Sequence, residues 1–94
     1  MTKTITKNIE ELGRDFHIAS EKEHDYYGKL ERLISLYPQI ETNQPIEDQV
    51  AQLMKEAGSR NRLEAIKVYG EWRYWLGVAI TLFKDIQECK DGNF

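Results

Sequence analysis

The sequence predicts a small all-α bundle of three helices, two long and one short, that associates into an oligomer or with a partner. In both long segments apolar residues recur at alternating intervals of four and three, which keeps one stripe of each helix facing a neighbour. Prolines and glycines separate the three segments. The 94 residues are expected to form a single helical domain over 1–94, with helices at about 8–36, 45–57 and 60–90 and short tails at both ends.

The first helix is predicted from the longest of these stripes. Asn8 and Glu11 have the spacing of a capping box, so the helix is expected to begin there. Pro38 is expected to end it, because the residue before a proline is pushed out of helical backbone angles. The stripe comprises Ile5, Ile9, Leu12, Phe16, Ala19, Glu23, Tyr26, Leu30, Leu33 and Tyr37.

Glu23 is the one charged residue on this stripe. A charge at such a position is costly unless it is paired. Two interpretations are open: Glu23 sets the register or binds a partner, as polar stripe residues can, or the helices splay there and its carboxylate reaches solvent. We expect the second.

The remaining helices are predicted from their boundary residues. Pro45 suits the first turn of a short second helix, and Gly58 suits its C-terminal cap. Asn61 and Glu64 form a second capping-box pair at the start of the third helix. The stripe of that helix comprises Ala65, Tyr69, Trp72, Leu76, Ala79, Phe83 and Ile86.

The third helix is apolar nearly all round over the ten residues from Tyr74 to Phe83. A helix of this kind is normally covered on several sides, and two short neighbours from the same chain leave part of it uncovered. The segment is too short for a membrane span, which needs about 20 residues. The sequence therefore predicts contact with another protein or with a second copy, and no membrane insertion.

Composition restricts the classes of function. The net charge is −3, which argues against a dedicated nucleic-acid binder. Cys89 is the only cysteine, so no internal disulfide can form. Residues 1–25 carry repeated charges and no apolar core of a signal peptide. A cytoplasmic protein is expected.

Three residues of the first helix have spacings that could suit a metal ion. His17, Glu21 and His24 lie on one face, and Glu21 with His24 gives the Glu-x-x-His spacing of di-iron bundles. They flank the apolar stripe, where solvated side chains are the commoner outcome. We therefore expect no bound metal and keep these residues as weak candidates.

Aromatic and basic residues cluster along the third helix. Such residues serve as anchors of protein interfaces, and they also grip phosphates and stack on bases. The candidate protein interface comprises Tyr69, Trp72, Arg73, Tyr74, Trp75 and Phe83. The candidate nucleic-acid contacts are Arg60, Arg62 and Lys67.

The function predicted from these features is that of a non-enzymatic interaction module: a small adaptor, a regulatory or inhibitory factor, or an accessory subunit. The sequence contains no glycine-rich phosphate loop, zinc-type cysteine pair or His-Glu-x-x-His motif. We therefore assign no catalytic residue and expect no cofactor. Two alternatives stay open: a nucleic-acid-associated small subunit using residues 60–75, and a helical-bundle metalloprotein.

Overall fold

A computed structural model describes residues 8–90 of the chain. These residues form three helices: α1 (Ile9–Ser35), α2 (Ile46–Glu56) and α3 (Ser59–Lys90). The prediction of a three-helix all-α bundle is confirmed. The molecule is elongated, with extents of 50 × 22 × 22 Å, because 32 helical residues in α3 span roughly 48 Å at 1.5 Å per residue.

Helices α1 and α3 pack against each other in opposite directions. The rings of Phe16 and Phe83 lie 6.1 Å apart between centroids. At the other end of the pair, the Asn61 side-chain amide donates to the Tyr37 hydroxyl at 2.9 Å. Residue numbers therefore fall along α3 as they rise along α1, which defines an antiparallel pair.

Helix α2 covers only the end of this pair that lies near the α1–α2 loop. There the main hydrophobic core draws on all three helices and the loop. The core comprises Leu30, Ile34, Ile40, Val50, Leu53, Ala57, Ala65 and Val68. Burying a large aliphatic side chain in such a core contributes about 1.5–3 kcal/mol. Most of the apolar stabilisation is thus concentrated at one end of the molecule.

The polar stretch between the first two helices is a loop, as its prolines predict. Ile40, in the middle of this loop, is buried in the main core and so anchors the loop to the helices. The buried Gln49 side chain donates its amide hydrogens to the carbonyl oxygens of Gln44, at 2.8 Å, and Thr42, at 3.3 Å. Because a buried amide must find hydrogen-bond partners, Gln49 fixes the loop against the start of α2.

Helix boundaries agree with the sequence at one end and differ at two others. Asn8 caps α1 as predicted, since its side-chain oxygen accepts from the Glu11 backbone N–H at 2.9 Å. Gly58 was predicted as the cap of α2, but the capping residue is Ala57, in an extended conformation. Gly58 does not adopt the left-handed conformation of a helix-ending glycine.

The predicted capping box at the start of α3 is also wrong. The helix begins at Ser59, so Asn61 already lies inside its first turn. Its side chain is occupied by the bond to Tyr37 rather than by the backbone of Glu64. Tertiary contact with α1 has replaced the local hydrogen bond that the spacing predicted.

The buried stripe of α3 is partly different from the predicted one. Ala65, Trp72 and Ala79 are buried as expected, whereas Phe83 is half exposed and Val68 is buried in the place expected for Tyr69. Ala65 and Trp72 are seven residues apart, and the sequence does not decide which residue between them is buried. A step of either three or four residues returns to nearly the same face of the helix. The structure takes the three-residue step, so that Val68 joins the main core and lines one cavity with Lys29 and Leu33 of α1.

We expect Leu53→Ala to lower the free energy of unfolding by about 2–5 kcal/mol, because Leu53 is fully buried at the three-helix end. The matched control is Leu63→Ala, the same change at an exposed leucine, with an expected effect below about 0.5 kcal/mol. Urea denaturation followed by circular dichroism measures both. Equal effects of the two substitutions would contradict the assignment of the core.

Candidate protein-interaction surface

The half of the α1–α3 pair that α2 leaves uncovered contains an open groove of about 650 Å³. We refer to it as the α1–α3 groove. Among the described residues, those lining it all belong to α1 or α3, and Asp15 alone of them is charged. The lining residues are Asp15, Ile18, Tyr74, Trp75, Gly77, Val78, Thr81 and Leu82.

The walls of the groove are aromatic and aliphatic. Tyr74 is 61% exposed, and its ring packs edge-to-face against Trp75 with 5.1 Å between centroids. Ile18 of α1 forms the facing wall and is also exposed. Tyr74, Val78 and Leu82 follow each other at intervals of four, so they form one continuous ridge along α3. Exposed apolar surface of this kind is typical of binding sites.

The six predicted interface residues do not lie on one surface. Tyr74 and Trp75 line the α1–α3 groove. Phe83 instead packs on α1 through Phe16. Arg73 donates to the Tyr69 hydroxyl at 3.2 Å and lines a smaller cavity of about 310 Å³ that also includes Glu47 of α2. The candidate interface is therefore divided between two flanks of α3.

Trp72, the sixth predicted interface residue, lies inside the molecule. Only 6% of it is exposed, and its ring contacts Tyr27 and Tyr69 at centroid distances of 5.5 Å and 5.8 Å. The indole Nε1 donates a hydrogen bond to Glu23 Oε2 at 2.7 Å. Its aromatic surface is used within the chain, so it is not open to a partner.

The expectation that Glu23 reaches solvent is wrong. Its side chain is 18% exposed, and one carboxylate oxygen accepts from Trp72 while the other lies 3.4 Å from His24 Nε2. A charged acceptor makes this one of the stronger kinds of hydrogen bond. Because it crosses between α1 and α3, the Glu23–Trp72 hydrogen bond fixes the register of the two helices.

The basic residues near the start of α3 diverge. With 3.6 residues per turn, Arg60 and Arg62 project about 160° apart. Arg62 also donates to the Ala57 carbonyl oxygen at 3.0 Å, which places its guanidinium at the end of α2. Lys67 shares the side of Arg60, where Glu64 lies between them in sequence. These charges do not combine into one continuous basic face.

The candidate metal ligands are exposed, and His24 lies apart from the other two. His17 pairs with Glu21 at the surface of α1. His24 lies beside Glu23 instead, with 81% of its side chain exposed. Within residues 8–90, no three histidine, cysteine, aspartate or glutamate side chains come together as a metal-binding group.

Several residues that form the α1–α3 groove were not predicted from the sequence. Val78 was visible as an apolar residue off the main stripe, but nothing in the sequence paired it with Ile18. Gly77 and Thr81 carry no apolar signal at all. Their place in the groove follows from the pairing of two helices that are distant in sequence, which periodicity within one helix does not specify.

No family model, curated protein or solved structure matches this chain. Within residues 8–90, no helix has both the length and the apolar content that crossing a lipid bilayer requires.

We expect Trp72→Phe to lower the free energy of unfolding by about 1.5–3 kcal/mol, because it removes the N–H that satisfies a largely buried carboxylate. A double-mutant cycle with Glu23→Ala should give a coupling energy of about 0.5–3 kcal/mol. The control cycle pairs Trp72→Phe with Glu21→Ala, an exposed glutamate bound to His17, and should give coupling near zero. Equal coupling in both cycles would argue against the Glu23–Trp72 hydrogen bond.

Proposed function

We propose that the chain is a non-enzymatic protein-interaction module that binds its partner in the α1–α3 groove. The observation that carries this proposal is the position of the groove, which lies in the half of the molecule that α2 does not cover. Its walls are apolar over several turns of helix. Covering them with another protein would remove Tyr74 and Ile18 from water, which is favourable by about 25 cal/mol per Å² of apolar surface.

The shape of the groove supports a helical occupant. Two packed helices leave a furrow whose ridges accept the side chains of a third helix. Recognition of an amphipathic helix in an apolar groove is a common mode of protein binding. Tyr74 and Trp75 are side chains of the type that dominates interface energetics. An adaptor or an accessory subunit of a larger cytoplasmic complex is the role that we infer.

The placement of the basic residues favours protein binding over nucleic-acid binding. Arg62 is engaged with the end of α2, and Arg73 is engaged with Tyr69. A phosphate-binding surface needs several cations on one face, whereas these cations are spread around α3.

We expect Val78→Lys to abolish partner binding, because it introduces a charge into the apolar groove. The control is Ile66→Lys, the same kind of change at an exposed isoleucine of α3 that does not line the groove. The immobilised full chain and both variants would be incubated with lysate of the source cells, and the bound proteins identified by mass spectrometry. Circular dichroism would verify that each variant remains folded.

A protein retained by the original chain and by Ile66→Lys but lost with Val78→Lys supports the proposed function. If Val78→Lys unfolds, Tyr74→Lys serves as the groove variant, since Tyr74 is largely exposed. The proposal is overturned if no protein, including a second copy of the chain, shows groove-dependent binding.

A further inference from the structure

We propose that the α1–α3 groove is one end of a longer binding surface, and that its occupant is an amphipathic helix of another protein with acidic side chains opposite Lys29 and Arg32. This inference rests on the proposed function and names the chemistry of the partner. The surface joins the groove to a second cavity of about 310 Å³, which we call the Lys29 cavity. The Lys29 cavity is lined by Lys29, Arg32, Leu33, Leu36, Glu64 and Val68.

The groove and the Lys29 cavity lie on the same side of the α1–α3 pair. On α1, Ile18, Lys29 and Leu36 are separated by eleven and seven residues, which are nearly whole numbers of helical turns. On α3, the lining residues recur at steps of four, seven, three and four, which also return to one face. These α3 residues are Glu64, Val68, Trp75, Val78 and Leu82. One furrow therefore runs along the pair past both cavities.

The length of this furrow suits a helix of about 20 residues. Its lining extends from Asp15 to Leu36 on α1 and from Glu64 to Leu82 on α3, which at 1.5 Å per residue is about 32 and 27 Å. Among the described residues, none from α2 lines either cavity. Glu47 of α2 borders a different cavity, which shares only Gly77 with the groove. A partner helix can therefore lie along the furrow without displacing α2.

The Lys29 cavity carries opposite charges on its two walls that do not reach each other. Helix α1 supplies Lys29 and Arg32, and α3 supplies Glu64, all exposed. Within residues 8–90, none of these three side chains forms an ion pair. Lys29 Nζ lies 4.9 Å from the centroid of the Tyr26 ring, a contact that positions the ammonium group and leaves its hydrogens available to an acceptor. Both cations can therefore bind a carboxylate that enters the furrow.

Apolar side chains lie beside these charges. Leu36 is 62% exposed and Val68 is buried beneath the cavity, while Leu33 is half-buried. An occupant must therefore present apolar residues to the floor and acidic residues to the α1 wall. A helix does both at once, because residues three or four positions apart share a face and their neighbours flank it.

The charges near the furrow outside the two cavities agree with an acidic partner. On α1, Lys22 and Asp25 carry opposite charges and cancel. On α3, Arg60 and Lys67 exceed Glu71 by one positive charge. The three-helix end of the furrow is thus positive although the whole chain has a net charge of −3. Complementary charge across an interface selects the partner, and like charge disfavours it.

Two synthetic helical peptides of about 20 residues test the inference against the purified full chain. Both carry the same leucine stripe, and at one end the positions that flank this stripe are glutamate in the acidic peptide and lysine in the basic peptide. Fluorescence anisotropy of the labelled peptides measures their dissociation constants. We expect the acidic peptide to bind at least about tenfold more tightly, and added salt should reduce the difference.

A charge reversal gives the more specific result. Lys29→Glu combined with Arg32→Glu should reverse the preference, so that the basic peptide binds more tightly. The matched control is Lys55→Glu combined with Lys84→Glu, which changes the net charge equally at two exposed lysines that line neither cavity. The control should retain the preference for the acidic peptide. All four lysine and arginine side chains are exposed, so each variant is expected to fold, and circular dichroism verifies this.

The inference is overturned if neither peptide binds, if both bind equally, or if the preference persists after the reversal at Lys29 and Arg32. Val78→Lys should also weaken binding of the acidic peptide, because one helix occupies both cavities, and the absence of this effect would overturn the continuous furrow. The proposed function is judged separately by the capture experiment: it survives if a protein is bound through Val78, whatever the charge of that protein. The two failures are therefore distinguishable.

Discussion

The difference in helix length is the constraint on which the rest of the structure depends. Helices α1 and α3 contain 27 and 32 residues, whereas α2 contains 11. At 1.5 Å per residue these correspond to about 40, 48 and 16 Å. A helix of 16 Å covers only one end of the pair. A core shared by three helices therefore forms at that end, and the rest of the pair consists of two helices alone. The α1–α3 groove exists because nothing in residues 8–90 extends far enough to fill it.

The Glu23–Trp72 hydrogen bond lies where these two halves meet. Trp72 contacts Tyr69, which packs on the main core, while Trp75 one turn later lines the groove. Apolar stripes alone allow two helices to slide by one turn with little loss of burial. Such a shift would separate the Glu23 carboxylate from the Trp72 indole N–H, which is unfavourable because the carboxylate is largely buried. The hydrogen bond therefore fixes the register of α1 and α3 at the boundary between the three-helix end and the two-helix half.

The sequence specified the local features of the fold and left the nonlocal ones open. Helix number, the break at Pro38 and the cap at Asn8 follow from short-range chemistry, and each was predicted. The choice of Val68 over Tyr69 depended on tertiary packing in the main core, which a repeat of seven residues does not encode. Only part of the groove could be predicted from the sequence. The apolar character of α3 was evident, but nothing in the sequence indicated that Ile18 would face that helix.

The two tryptophans differ in burial, so their intrinsic fluorescence can report on two different regions of the molecule. Trp72 is enclosed and bonded to a carboxylate, whereas Trp75 lies in the wall of an open groove. Indole emission shifts to shorter wavelength as water is removed from the ring. Emission from Trp72 thus reports whether the helices remain together, and emission from Trp75 reports whether the groove is occupied. With only two tryptophans in the chain, replacing either one by phenylalanine separates the two signals without an added label.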